Sequence, residues 1–235
     1  MFNKFKNLFK NTRKNKNGPT VFFKDIEKNK KLFNKHFKNV DDLMTREINI
    51  KTSEGQEIKA MLFYFQSLIE EDLINEEVIR PLLFEQRLAN FEFKNNKKFF
   101  KNLKENVITV NSIKKGAEVE EAIESVLKGF TVLFVDGVTD YYIIGTQGWT
   151  ERPISPPEVE RTVRGPKVAF VESIKSNIGA IRRIIKSDKL KAIKFTIGEY
   201  TRTQVIVLYI EGIANEEIVK EVIKRLNSIN VGQLN

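Results

Sequence analysis

The stretch VRGPKVAFVESIKSNIGAIRRIIK, Val163–Lys186, decides how the rest of the chain is read. Arg164-Gly165-Pro166 makes a rigid entry, and proline fits the first position of a helix because its missing N–H has no partner there anyway. The reading therefore runs a helix from Pro166 to Lys186. Val171, Ile174, Ile178, Ile181 and Ile185 recur at alternating spacings of three and four, one apolar stripe along about four turns. The other faces carry Lys167, Glu172, Lys175, Ser176, Arg182, Arg183 and Lys186. A helix so divided covers a sheet, and strand-like runs lie on both sides of it.

C-terminal to it, Ile193–Gly198 and Thr203–Ile210 read as a hairpin around Glu199-Tyr200-Thr201. The second arm of that hairpin, VIVLYI, is wholly apolar. Asn215-Glu216-Glu217 then caps a last helix to about Ser228. N-terminal to it, Phe130–Val135 turns through Asp136-Gly137 into Tyr141–Gly145, a second hairpin. Residues 116–128 read as a helix with Val119, Ile123, Val126 and Leu127 inward. Thr146–Pro157 is a loop holding Trp149.

Further back, residues 24–39 form a charged helix and Asp41-Asp42-Leu43 breaks it. Arg46–Lys51 is a short strand. Ile58–Phe65, IKAMLFYF, is nearly continuous apolar sequence, the pattern of a central strand buried on both faces. A helix follows, capped by Asn75, with Pro81 kinking or ending it. Residues 94–106, rich in Lys and Asn, read as an exposed connection, and Val107–Val110 as a short strand.

An internal repeat is legible. Twice a helix leads into a hairpin whose second strand is apolar and holds a late tyrosine, Tyr64 or Tyr209. Twice a helix then opens on Asn-Glu-Glu, at Asn75 and Asn215. The expected fold class is α/β: two small subdomains, each a mixed sheet with hairpins faced by helices. The expected boundaries are 1–23 for a basic mobile arm, 24–113 for the first subdomain and 114–235 for the second.

Hydrophobic residues make up 41% of the chain, enough for a core. The formal net charge is +9, but it is not spread evenly: residues 1–40 carry +10 and the remainder −1. The cationic arm suits an anionic membrane surface or a solubilising tail. A nucleic-acid-binding body is disfavoured, because no basic, aromatic-studded strand occurs there. No apolar run reaches the roughly 18 residues of a membrane span. MFNKFKNLFK lacks the apolar core and cleavage site of a secretory signal.

There is no cysteine and one histidine, His36. Disulfides, thiolate chemistry, zinc sites and Ser-His-Asp triads are therefore excluded. No phosphate-cradling glycine loop, HExxH or GxSxG is present. The reading is non-enzymatic, with no cofactor and no metal. Arg182-Arg183 has the chemistry to clamp a carboxylate or phosphate, though a solvated helix face explains it too.

From Gly129 to Ile229 the chain closely resembles the N-terminal soluble domain of the A subunit of GerA-family nutrient germinant receptors of spore-forming bacteria. The resemblance rests on GFTVLFVDG (129–137), TQGWTERPI (146–154), EVERTVRGPKVAFVESIKSNIGAIRRIIK (158–186) and IGEYTRTQVIVLYIEGIANEEIVKEVIKRLNSI (197–229). Lys167-Val168-Ala169-Phe170 departs from the family's usual charged-plus-glycine version. The family also contains paralogues that are not germinant sensors.

The resemblance implies a domain at the spore inner membrane, on the core side. Its partners would be the B and C subunits and the membrane part of its own chain. Two roles follow as expectations. In the first, the domain couples and assembles receptor subunits. In the second, it holds an amino acid, sugar or nucleoside between its subdomains. The candidate ligand or partner contacts are Arg164, Asn177, Arg182, Arg183 and Glu211.

Overall fold

The structure, a computed structural model, describes residues 19–52, 55–84, 95–148 and 170–229. The arm before Gly18, the loop with Trp149, and Arg164 lie outside the described residues.

Strand β2 (Glu57–Phe65) is an interior strand of the larger sheet, as its apolar run requires. It pairs on one side with β1 (Leu43–Lys51) and on the other with β4 (Thr131–Val135), both antiparallel. Strands β5 (Tyr141–Ile144) and β3 (Ile113–Gly116) complete a five-stranded sheet in the order β1-β2-β4-β5-β3. Successive residues of β2 point to opposite faces. Met61, Phe63 and Phe65 enter one core and Ala60, Leu62 and Tyr64 the other. Helices α1 (Ile26–His36) and α5 (Val119–Leu127) cover the first face. There Phe33 stacks on Phe63 with ring centroids 4.3 Å apart, and Phe22 meets Phe134 edge-on at 4.6 Å.

The second face is covered by α2 (Glu71–Ile74), a π turn Asn75–Ile79, α3 (Arg80–Leu83), α4 (Asn96–Asn102) and a second π turn Leu103–Val107. Pro81 explains the first π turn. It has no N–H to give the carbonyl of Glu77 four residues back. That carbonyl accepts instead from the Thr109 N–H at 3.3 Å.

The second unit comprises α6 (Ile174–Ile184), an antiparallel hairpin of β6 (Leu190–Ile197) and β7 (Thr203–Ile210), and α7 (Glu216–Ser228). Each half thus runs helix, hairpin, helix, the order expected from the repeat.

Several expectations are corrected. The boundary at residue 113/114 cuts through one sheet: β4 and β5 pair with β2, so the second unit is built from residues after 170. Both sheets are antiparallel rather than mixed. The end of the supposed arm is in the fold, with Phe22 buried and Val21 bridged to Glu118. Of the expected connection at 94–106, the described residues 95–106 are largely helical, because Phe99, Phe100 and Leu103 share one buried face among the lysines and asparagines. Val107–Val110 is not a strand, since its backbone closes the second π turn.

The organising helix begins at Ile174, eight residues after Pro166. The Ser173 side chain caps it by accepting from the Ser176 N–H. Asn177 reaches back and exchanges two hydrogen bonds with the backbone of Val171, at 2.8 and 2.7 Å, which holds residues 170–172 out of the helix. Val171 is consequently exposed, and of the predicted stripe only Ile178 is fully buried. Asn75 caps nothing: it sits inside its helix, which starts four residues earlier, whereas Asn215 does accept from the Glu217 N–H at 2.8 Å.

Candidate functional site

The site is the seam where α6 and β6 meet the first unit. Asn39 adopts φ 60° after α1, a left-handed turn that asparagine tolerates. This reverses the chain so that its carbonyl accepts from the Ala192 N–H while the Asp41 N–H donates to the Ala192 carbonyl, at 3.0 and 2.8 Å. One bridge, Val40 to Ala192, thereby joins the two units edge to edge. The Asp41 carboxylate accepts from the Lys194 N–H at 2.8 Å.

Beside this bridge lies Arg182, 2% exposed. Its Nε and Nη2 donate to the two carboxylate oxygens of Asp42, both at 2.5 Å. The guanidinium also lies 4.0 Å from the centroid of the Phe65 ring. Only arginine fills this place, because its planar fork meets a carboxylate bidentately while its face stacks on an aromatic ring. One turn earlier, Gly179 presses on β2's end: a Cβ there would stand 2.4 Å from the Ser67 carbonyl oxygen. A further turn back, Lys175 pairs with Glu71 at 2.5 Å. The Lys175 hydrogen bond, then that from Gln66, holds the Glu71 carboxyl below its ordinary range.

The seam mixes polar groups with a small apolar set. Ile178, Leu190, Ala192 and Ile197 are buried, yet belong to neither of the cores on the two faces of the large sheet. A cleft of about 120 Å³ remains, lined among others by Asp41, Gln66, Ser67, Lys175, Lys194 and Gln204. It is well under the roughly 300–1,000 Å³ of a small-molecule pocket. Ser67 Oγ is buried and has no hydrogen-bond partner among the described residues.

The structure disperses the residues singled out from sequence. Arg182 is in the seam as an internal pair rather than on a free face. Asn177 serves the entry of α6, and Arg183 lines a second hollow with Glu70, Glu71 and Ser176. Glu211 pairs with Lys191 at 3.4 Å. Sequence reading missed Asp42, Phe65, Ser67 and Glu71. The Asp41-Asp42 doublet was a signal that two acids follow a helix, but nothing in it names a partner 140 residues away. Among the described residues no cluster of acids and histidine is arranged to hold a metal ion, and no helix is long and apolar enough to cross a membrane.

The family model described as Bacillus/Clostridium GerA spore germination protein matches residues 31–235. This chain belongs to the GerA family. It is 28% identical over 219 residues to spore germination protein KA of Bacillus subtilis (strain 168), a match covering 93% of this chain and 39% of that protein. It is 30% identical over 189 residues to spore germination protein GerLA of Bacillus cereus, covering 80% of this chain and 37% of the relative. This GerA-family chain thus spans about two fifths of the length of those relatives. A crystal structure of the N-terminal domain of the A subunit of the Bacillus megaterium spore germinant receptor GerK3 superposes with a TM-score of 0.68 at 24% identity, over 90% of this chain and 74% of that one. That likeness shows the shared fold of this GerA-family chain.

Proposed function

We propose that the chain is a non-catalytic domain of a spore germinant receptor A subunit, and that it serves receptor assembly and signal coupling in germination. The observation that carries this reading is the seam. Among the described residues the two units meet through one strand bridge, the buried Asp42–Arg182 pair, the exposed Lys175–Glu71 pair and the Asp41–Lys194 hydrogen bond, with little shared apolar core, the composition of an interface whose two sides move relative to each other. The 120 Å³ cleft is small for a sugar or nucleoside but the adjoining hollow at Glu70, Glu71, Lys175 and Arg183 measures about 430 Å³, so the contacts across the seam and not its volume support this reading. The working partners are the B and C subunits and the membrane part of the same protein, at the spore inner membrane with this domain on the core side.

The test places Asp42→Asn in the full-length receptor and reads two things, subunit co-purification and the nutrient response of the spores. Coupling through the seam predicts retained B and C subunits with a germination response lowered at least several-fold. An unchanged response removes the seam from signalling.

A second reading has a specific observation behind it: Ser67, Gln66, Lys194 and Gln204 converge on the cleft, and the Ser67 hydroxyl has no partner among the described residues. In this reading the seam opens to admit a nutrient. A thermal-shift screen against amino acids, sugars and nucleosides decides it. A ligand at ten times its dissociation constant adds about 1.4 kcal/mol, a shift of a few degrees. A flat response across all classes dismisses it.

A further inference from the structure

We propose that the outward face of α1 docks on an anionic lipid surface. This goes beyond the seam and rests on different residues. In α1, Ile26, Asn29 and Phe33 face the core and are buried. At 100° per residue, Lys28, Lys31 and Lys35 fall on the opposite side of the helix. Lys24 before the helix and Lys38 after it prolong the same alternation of four and three. All five are exposed, and none makes an ion pair among the described residues. Lys30, turned inward by its position, pairs with Glu47 instead.

Most of the acids nearby are occupied or peripheral, and Glu118, whose backbone bridges Val21, is exposed. Asp25 is spent on capping α1, and Glu27 lies at the flank of the row. On α5, which covers the same face of the sheet, Glu121 pairs with Lys114 and Glu124 with Lys128, while Glu120 is exposed. At the N-terminal end of the row, Val21 and Phe23 are 51% and 40% exposed, with the Lys28 ammonium 6.0 Å from the Phe23 ring centroid. An apolar pair beside a lysine row is the arrangement that sits at headgroup level, ring inward and ammonium groups among the phosphates.

Two features favour lipid over nucleic acid. The row is all lysine, compact point charges suited to a diffuse anionic surface, without the guanidinium forks that grip phosphates in register. It also has a single exposed ring, at one end, and so no platform for successive bases.

Co-sedimentation of the whole chain with vesicles tests this. Phosphatidylcholine vesicles containing phosphatidylglycerol should bind the protein, and phosphatidylcholine alone should not. Lys28→Gln/Lys31→Gln/Lys35→Gln should weaken binding about a hundredfold, each lysine contributing roughly fivefold at an anionic surface. Its melting temperature should match wild type, since the three side chains touch no core. Val21→Ser/Phe23→Ser should weaken binding most at high salt, where the charges are screened. Retained binding in the triple lysine variant, with loss in Lys4→Gln/Lys6→Gln/Lys10→Gln, would overturn the proposal in favour of the first ten residues. So would binding to duplex DNA or RNA without binding to the vesicles.

Discussion

Arg182 is charged and 2% exposed, so its stability depends on Asp42 staying opposite it. Taking away one partner of such a pair leaves the other desolvated and unpaired. Arg182→Ala should therefore destabilise the chain by about 3–5 kcal/mol in urea unfolding. Replacing both partners together, Asp42→Leu with Arg182→Met, should recover most of that loss, because an apolar pair carries no unpaired charge. The tyrosines of β5 supply a pH test. Burial pushes the Tyr142 phenol up to about 12, and raises Tyr141 as well. In the unfolded chain a phenol ionises near 10. A raised folded value means that the stability from these groups is full below about pH 10 and is lost as pH climbs toward 12. Stability should fall across that window, and Tyr142→Phe should flatten the fall. At neutral pH the same change should cost about 1 kcal/mol, because the Tyr142 hydroxyl donates to the Phe100 carbonyl at 2.9 Å.

At the scale of elements, the two Asn-Glu-Glu helix openings look alike in sequence and differ in structure. Asn215 caps α7, so Asn215→Ala should cost about 1 kcal/mol. Asn75 is exposed inside its helix, so Asn75→Ala should change stability by less than about 0.5 kcal/mol. A matched pair of thermal melts distinguishes them, and equal losses would restore the sequence reading. What was legible here followed from periodicity. The run IKAMLFYF gave a central strand, and the spacing of Val119, Ile123 and Val126 gave α5. What was not legible turned on competition. Ser173 and Asn177 fix the start of α6 through side-chain hydrogen bonds that a stripe of apolar residues does not announce. In residues 94–106, Phe99, Phe100 and Leu103 outweigh a lysine-rich composition that reads as a loop.

For the whole molecule, long-range pairing decides both what was visible and what was hidden. Helix order and hairpins are local, so the helix-hairpin-helix repeat could be read from the chain. Sheet order is not local: β2 accepts β4 as its neighbour across the expected domain boundary, because the apolar faces of both strands need covering on the same two sides. The Asp42–Arg182 pair is hidden for the same reason, and it sets a buried charge pair in the seam, outside both cores of the large sheet. Local opening should therefore start there, before either core on the large sheet gives way.

Hydrogen–deuterium exchange on the wild-type chain and Asp42→Asn tests this most directly. A seam that opens first gives faster exchange in α6 and at Ala192 in the variant, with the amides of β2 and β4 protected as before. Unchanged exchange in α6, or an equal rise across β2 and β4, would contradict it and return the pair to an ordinary role in global stability.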